Sequence, residues 1–260
     1  MDKHDKGKTV AIIQARMNSS RLPGKVLLDL GGQPMLQRVI TRTRRAKLVD
    51  EVMVATTDDA SDDPVEEFCR QQGAAVYRGS QFDVLDRYYQ AARQCGAAVV
   101  VRLTADCPLL DPQVVDHTLE EFFKSGADFA ANRLPPPWKR TYPIGLDTEV
   151  CYFSGLERAW KEADQAHERE HVMPYFYDQE GRFKVLLVNH DPDYGAERWT
   201  VDTPQDLELL RLIFAHFDNR DDFTWYDVLE LKNLHPEWFA INAGIQHKTA
   251  LDVDERANRT

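Results

Sequence analysis

"TVAIIQARMNSSRLPGKVLLDLGGQPM", residues 9–35, runs an apolar stretch straight into a loop that carries Arg16, Arg21 and Lys25. The part "VAIIQA" (10–15) is almost continuously apolar. That suits a strand covered on both faces, as in a parallel sheet. The loop behind it is made adaptable by Asn18, Ser19, Ser20 and Gly24. Its N–H groups and cations can surround a polyphosphate, with Arg gripping oxygens bidentately and Lys adding a compact charge. It is not a Walker A loop, because the first glycine is missing and Val26 stands where Ser or Thr should follow Gly-Lys. A solvated basic turn is the other use of such a stretch.

Further runs of the same kind follow. "EVMVATT" (51–57), "AAVYR" (74–78) and "AAVVVRL" (97–103) read as strands, with amphipathic helices between them. In "PMLQRVITRTRRAK", Met35, Leu36, Val39 and Ile40 recur at helical spacing. "DPVEEFCRQQG" offers Asp63 as cap, Pro64 at the first helical position and Glu66 to complete a capping box. "FDVLDRYYQAARQCG", "DPQVVDHTLEEFFKSG" and "VDTPQDLELLRLIFAHF" are the later helices, the last capped by Thr203. "LDTEVCYF", "FKVLLVNH" and "ERWTV" read as strands of a more mixed second half. The alternation predicts an α/β fold with an open, mostly parallel sheet and flanking helices. One domain is expected over 9–219, a helical extension packed on it over 220–246, and a disordered tail over 247–260.

Composition narrows the partners. Among 260 residues, 43% are hydrophobic, enough for one sizeable core. Forty-three acids against 32 Lys and Arg give a net charge of -11, which repels nucleic acid and anionic membrane. A small anionic ligand must then be held by a local cluster of cations, such as the opening loop. No apolar run is long enough to span a membrane, and the N-terminus does not resemble a signal peptide. Cys69, Cys95, Cys107 and Cys151 show no C-x-x-C spacing and suit free thiols in the cytoplasm.

Open α/β sheets bind ligands at the carboxyl ends of their strands. Asp106 follows the run 97–103, and Asp202 follows "ERWTV" just before the Thr203 cap. If these strands run parallel, the two carboxylates can share Mg²⁺, which takes one or two carboxylates plus water and phosphate oxygens. Each Asp alone also suits a simple turn. "HEREH" (167–171) satisfies the zinc-peptidase pattern literally, but no further histidine motif follows, and Pro174 comes close behind. Arg169 and His171 serve better as cations for an acidic acceptor, or as a solvated helix face. Asp147 and Glu149 of "YPIGLDTEV" share one face of a strand, where they bind hydroxyls or an ammonium group, or face solvent at an edge.

Taken in order, "IIQARMNSSRLPGKVL", "VATTDD", "LTADCPLLDP", "YPIGLDTEV", "EREHVMPYFY" and "WTVDTPQDL" resemble the cytidylyltransferases that make CMP-activated sugar acids. The nearest subgroup is that of the spore-coat polysaccharide biosynthesis cytidylyltransferases. The resemblance implies a Rossmann-like, dimeric enzyme that uses CTP and Mg²⁺ on a small anionic acceptor. It implies that Gln14, Ala15 and Arg16 lie by the base and phosphates and that Arg21 and Lys25 contact the triphosphate. Asp106 and Asp202 would hold Mg²⁺, with Asp58, Arg78 and Thr104 as lesser nucleotide contacts. A glycosyltransferase of GT-A type, using a nucleoside-diphosphate sugar, is the competing reading of the same sheet.

Overall fold

The computed structural model describes residues 7–245, so the tail expected over 247–260 lies outside the described residues. Four strands run parallel: β1 (Thr9–Gln14), β2 (Glu51–Thr57), β3 (Ala75–Gly79) and β4 (Val99–Thr104). Three shorter ones complete the sheet: β5 (Phe129–Ala131), β6 (Glu149–Tyr152) and β7 (Val185–Leu187). The order across the sheet is β3-β2-β1-β4-β6-β5-β7, with β6 antiparallel to both its neighbours. Chain order reverses between β1 and β4, which opens a crevice at their carboxyl ends.

Helices cover both faces. They are α1 (Met35–Thr43), α2 (Asp63–Gln71), α3 (Val84–Gln94), α4 (Pro112–Ser125), α5 (Phe153–Glu162), α6 (Ala166–His171), α7 (Pro174–Tyr177), α8 (Pro204–His216), α9 (Trp225–Leu234) and α10 (Pro236–Phe239). The period-two alternation of the strands splits the core in two. Ala11, Ile13, Val54, Val101 and Leu103 join α1, α4, α8 and α9 on one face. Val10, Ile12, Ala55 and Val100 join α3, α5 and α7 on the other.

Local chemistry accounts for most boundaries. Asp83, Asp111 and Thr203 each accept a backbone N–H as N-caps, and Thr203 with Asp206 forms a full capping box. Gly126, at φ +62°, ends α4 in the left-handed region that glycine adopts freely. Two expectations fail. Asp63 is already inside α2, and the N-cap Asp62 gives that helix no side-chain cap. Its carboxylate is drawn elsewhere, to the N–H of Met17 at 2.6 Å and of Thr57 at 3.2 Å.

"ERWTV" is the second failure, since a single parallel bridge, Ile144 to Arg198, is all that forms there. The N–H of Ile144 donates to the Glu197 carbonyl (2.8 Å) and that of Trp199 to the Ile144 carbonyl (2.7 Å). Two residues later the N–H of Val201 donates to the Asp106 carbonyl instead (2.8 Å). The segment thus crosses from one neighbour to the other, and no ladder propagates. The strand expected over "LDTEVCYF" is shorter as well: it begins at Glu149, and Phe153 already opens α5.

Candidate active site

The site forms where β1 and β4 end. Gln14 and Thr104 are register partners, and the N–H of Ala105 donates to the Gln14 carbonyl at 2.9 Å. The parity that buries Val10, Ile12 and Val100 against α3 places Gln14, Arg102 and Thr104 on that same face. Beyond buried Ala15 the chain turns back, the Met17 carbonyl accepting from the N–H of Ser19 (2.9 Å) and of Gly24 (2.8 Å). Gly24 sits at φ +70° and opens the 3₁₀ turn Lys25–Leu27, so a side chain there would strain the loop. Asp62 pins the other side through Met17, while Asn18 reaches Ser61 at 3.1 Å. A loop that reads as adaptable is therefore tied down at both flanks.

That closure carries Lys25 between the two acids. Its Nζ donates to Asp106 Oδ2 at 2.8 Å, to Asp202 Oδ1 at 2.9 Å and to the Val201 carbonyl at 2.8 Å. Thr104 Oγ1 donates to the other oxygen of Asp106 at 2.6 Å. The second oxygen of Asp202 pairs with Arg21 at 2.9 Å and Arg198 at 3.0 Å. Burial alone would lower the Lys25 pKa, yet the adjacent Asp106 and Asp202 charges raise it. Burial works against ionised Asp106 too, but Lys25 and Thr104 draw its pKa down to about 2. Asp202 is pushed up by burial and by Asp106, and Lys25 and Arg21 bring the net result below the ordinary value. At neutral pH the cluster is thus fully charged, with cations facing both carboxylates.

Two hard oxygens, Asp106 Oδ2 and Asp202 Oδ1, converge on one cation position, the one Lys25 Nζ occupies. Oxygen donors in that pairing fit Mg²⁺, which needs only one or two carboxylates. Gln14 lies close by, with Arg102 Nη2 at 3.5 Å from its Oε1.

Other residues singled out from sequence have different neighbours. Arg78 donates to the carbonyls of Thr57 (2.9 Å) and Asp59 (2.8 Å) and pairs with Asp63 and Glu66, both at 2.7 Å. Those contacts bind β3 to the start of α2 and leave little of the guanidinium for a nucleotide. Asp58 is exposed and meets the strand edge through its N–H, 2.9 Å from the Gly79 carbonyl. Arg169 is committed to Asp83, the cap of α3, through Nε at 3.1 Å, and to the Trp160 carbonyl at 2.7 Å. In this arrangement the guanidinium ties α6 to the start of α3. His171 is half-buried at the end of α6.

In "HEREH", Glu168 closes the α6 capping box by accepting from the Gln165 N–H at 3.2 Å. His167 Nε2 lies 2.6 Å from Asp178 Oδ2, so neither residue is arranged as a zinc-peptidase pair.

Asp147 and Glu149 belong to an arginine cluster that sequence reasoning missed. Arg140 grips Asp147 with both terminal nitrogens, one at 2.9 Å, and Arg102 pairs with Glu149. Arg133 lies between, 3.9 Å from Asp147 and 4.0 Å from Glu149. Glu149 is buried, which removes the solvent-facing alternative, and Asp147 precedes β6 instead of lying within it. The available signal was Arg102 itself, a charge inside the apolar strand "VVVRLT". Arg198, Asp206 and Asn242 were missed too, and they gain meaning only from their contacts with Asp202 and one another.

The cytidylyltransferase family model matches residues 10–222. An uncharacterised protein of Methanocaldococcus jannaschii is 37% identical over 95% of this chain and 100% of its own. The spore coat polysaccharide biosynthesis protein SpsF of Bacillus subtilis is 30% identical over 87% of this chain and 94% of its own. The solved structure of a cytidylyltransferase from Leptospira borgpetersenii superposes with a TM-score of 0.85 at 33% identity, covering 93% of this chain and 100% of that one. On these grounds, together with the strand-edge cluster of one lysine and two aspartates, the chain belongs to the cytidylyltransferase family and is a nucleotidyltransferase.

Proposed function

We propose that the enzyme transfers CMP from CTP to a small anionic acceptor, either a sugar acid, a sugar phosphate or a phosphonate. The observation that carries this reading is the Lys25 ammonium held between Asp106 and Asp202 beside the β1–β4 crevice. The B. subtilis relative's name, with its polysaccharide role, supports an activated sugar as product. Family membership favours nucleotidyl transfer over the glycosyltransferase alternative.

In the proposed reaction an acceptor oxygen forms a bond to the α-phosphorus while the bond to the β-phosphate oxygen breaks, and pyrophosphate leaves. A hydroxyl nucleophile gives up its proton to water, whereas an ionised phosphate or phosphonate has none to lose. Catalysis is positioning and charge stabilisation. Arg16, Arg21 and Lys25 neutralise the triphosphate and then the pyrophosphate. Asp106, oriented by Thr104, and Asp202, oriented by Arg198, would hold Mg²⁺. Mg²⁺ there would polarise the phosphoryl oxygens and lower the pKa of a hydroxyl nucleophile. Lys25 Nζ would have to leave the two carboxylates to reach phosphate, which would free both for Mg²⁺. On the acceptor side we place Asp147 and Glu149, with Arg133 as the cation least tightly paired within that cluster. We extend the proposal to a cytoplasmic homodimer, which sedimentation velocity checks.

Two measurements test the reaction. At about 100 times its dissociation constant a ligand stabilises a fold by ~2.7 kcal/mol, so CTP with Mg²⁺ should raise the melting temperature more than UTP, ATP or GTP. The Asp106→Asn variant should lose ~10²-fold or more in pyrophosphate release, as when one pre-organised electrostatic contact is removed. A nucleoside diphosphate as product, or wild-type turnover in that variant, would sink the reading.

A further inference from the structure

Asp202 offers its two oxygens to different partners, Oδ1 to Lys25 and Oδ2 to Arg21 and Arg198. Arg198 is in turn gripped by Asp206, with Nε to Oδ1 and Nη2 to Oδ2 both at 3.0 Å. The Asp206 carboxylate is fully buried. It also accepts the N–H of Asp202 and of Thr203, each at 2.9 Å, and the Thr203 hydroxyl at 3.0 Å. A buried charge of this kind persists only where its lone pairs are used.

The remaining donor comes from far along the chain. Asn242, itself buried, directs Nδ2 to Asp206 Oδ1 at 2.9 Å and to the Arg198 carbonyl at 3.1 Å. One amide thus holds Arg198 twice, at its backbone directly and at its guanidinium through Asp206. Asn242 lies after α10, beyond the residues 10–222 that match the family.

We propose that Asn242 is a positioning residue for Asp202: by fixing Arg198 and Asp206, it keeps Arg198 on Asp202 Oδ2 and leaves Oδ1 for the cation. The proposal rests on the reading of Asp202 as a cation-holding residue. Without the amide, Asp206 is short of a donor and Arg198 is released at its backbone. Asp202 then keeps Lys25 and Arg21 but loses the fixed Arg198 contact that orients Oδ2. Losing an outer-shell partner of this type costs ~10–100-fold in metal affinity or activity.

The test is a double-mutant cycle on Asn242→Ala and Asp202→Asn, read by Mn²⁺ affinity in the presence of CTP from electron paramagnetic resonance titration. The Mg²⁺ concentration for half-maximal pyrophosphate release is read alongside. Asn242→Ala should weaken Mn²⁺ binding and raise the half-maximal Mg²⁺ by ~10-fold. In the Asp202→Asn background it should add nothing. A merely structural role would lower the folded fraction and leave both constants alone. Asn242→Ser is carried through the same cycle, so that poor folding of the alanine variant does not decide the matter. If Asp202→Asn weakens Mn²⁺ binding while both Asn242 variants match the wild type, the positioning role is overturned and the proposed function stands. An Asn242 effect that persists undiminished without Asp202 overturns it equally. If Asp202→Asn itself changes nothing, the role of Asp202 fails, and this proposal with it.

Discussion

Lys25 is held by two carboxylates and a carbonyl with little access to water, so replacing it by alanine removes more than one charge. Asp106 and Asp202 would then face each other uncompensated, a costly arrangement for partly buried acids. We expect Lys25→Ala to lower unfolding free energy by roughly 1–3 kcal/mol and to raise KM for CTP while slowing pyrophosphate release. Urea denaturation and steady-state kinetics read these separately, and an unchanged kinetic profile would return the loop to a solvated turn. The pH dependence has a definite sign. The pKa of Asp106 falls from 3.8 to about 2 on folding, so its stabilisation is complete above 3.8 and is lost as pH drops toward about 2. The urea midpoint of Asp106→Asn should therefore fall less steeply over that window than the wild type's. Equal slopes would show that Lys25 does not favour ionised Asp106. The basic loop, Asp106 and Asp202 were legible as residues because charge beside a buried strand is conspicuous. That Lys25 would sit between the two acids was not, since they lie 81 and 177 positions away.

At the scale of elements, the segment that delivers Asp202 hangs on one close approach. Gly145, at φ +112°, lies against Trp199 and Thr200, where an added Cβ would meet the Trp199 carbonyl carbon at 2.7 Å and the Thr200 nitrogen at 2.9 Å. Backbone cannot swing aside as a flexible side chain can. Gly145→Ala should therefore cost more than ~1 kcal/mol and shift the 198–202 segment, lowering turnover as well as the melting temperature. A variant with wild-type melting and kinetics would show that this contact is soft. The same segment shows where local pattern stops being informative. β1, β2 and β4 were readable because each buries both faces and so runs almost continuously apolar, while β3 is an edge strand of mostly half-buried residues. "ERWTV" has β-prone residues, but its donors and acceptors are divided between Ile144 and Asp106, a matter of what lies beside it. Asp62 against Asp63 is a similar case: Asp63, read as the cap, lies inside α2, and the carboxylate of Asp62 at the cap position is spent on the loop after β1.

Across the whole molecule, the helices after residue 222 are part of the same core as the nucleotide-binding sheet. Phe223, Trp225, Val228, Leu231 and Phe239 are buried with α1, α4 and α8. Fully buried Arg42 reaches the carbonyls of Leu110, Asp221 and Phe223 at 2.6, 2.9 and 3.0 Å. Burial pushes its pKa down to about 10, still far above neutral, so the side chain stays charged. A chain ending at 222 would lack those side chains, each worth ~1.5–3 kcal/mol on burial, would expose the faces of α1, α4 and α8 that they cover, and would leave buried Arg42 without the Phe223 carbonyl. We expect it not to unfold cooperatively by circular dichroism, and a sharp thermal transition at the wild-type temperature would refute this. The open α/β sheet, most helices and the basic and acidic residues of the site follow from sequence alone, because hydrophobic period, caps and charge are properties of neighbouring residues. What the tertiary structure decided is which polar groups meet: Lys25 with Asp106 and Asp202, Arg102 with Glu149, Arg169 with Asp83, and the Asn242 amide with Asp206. A charge's partner depends on what the crossovers bring within about 3–4 Å, a distance that sequence separation does not measure.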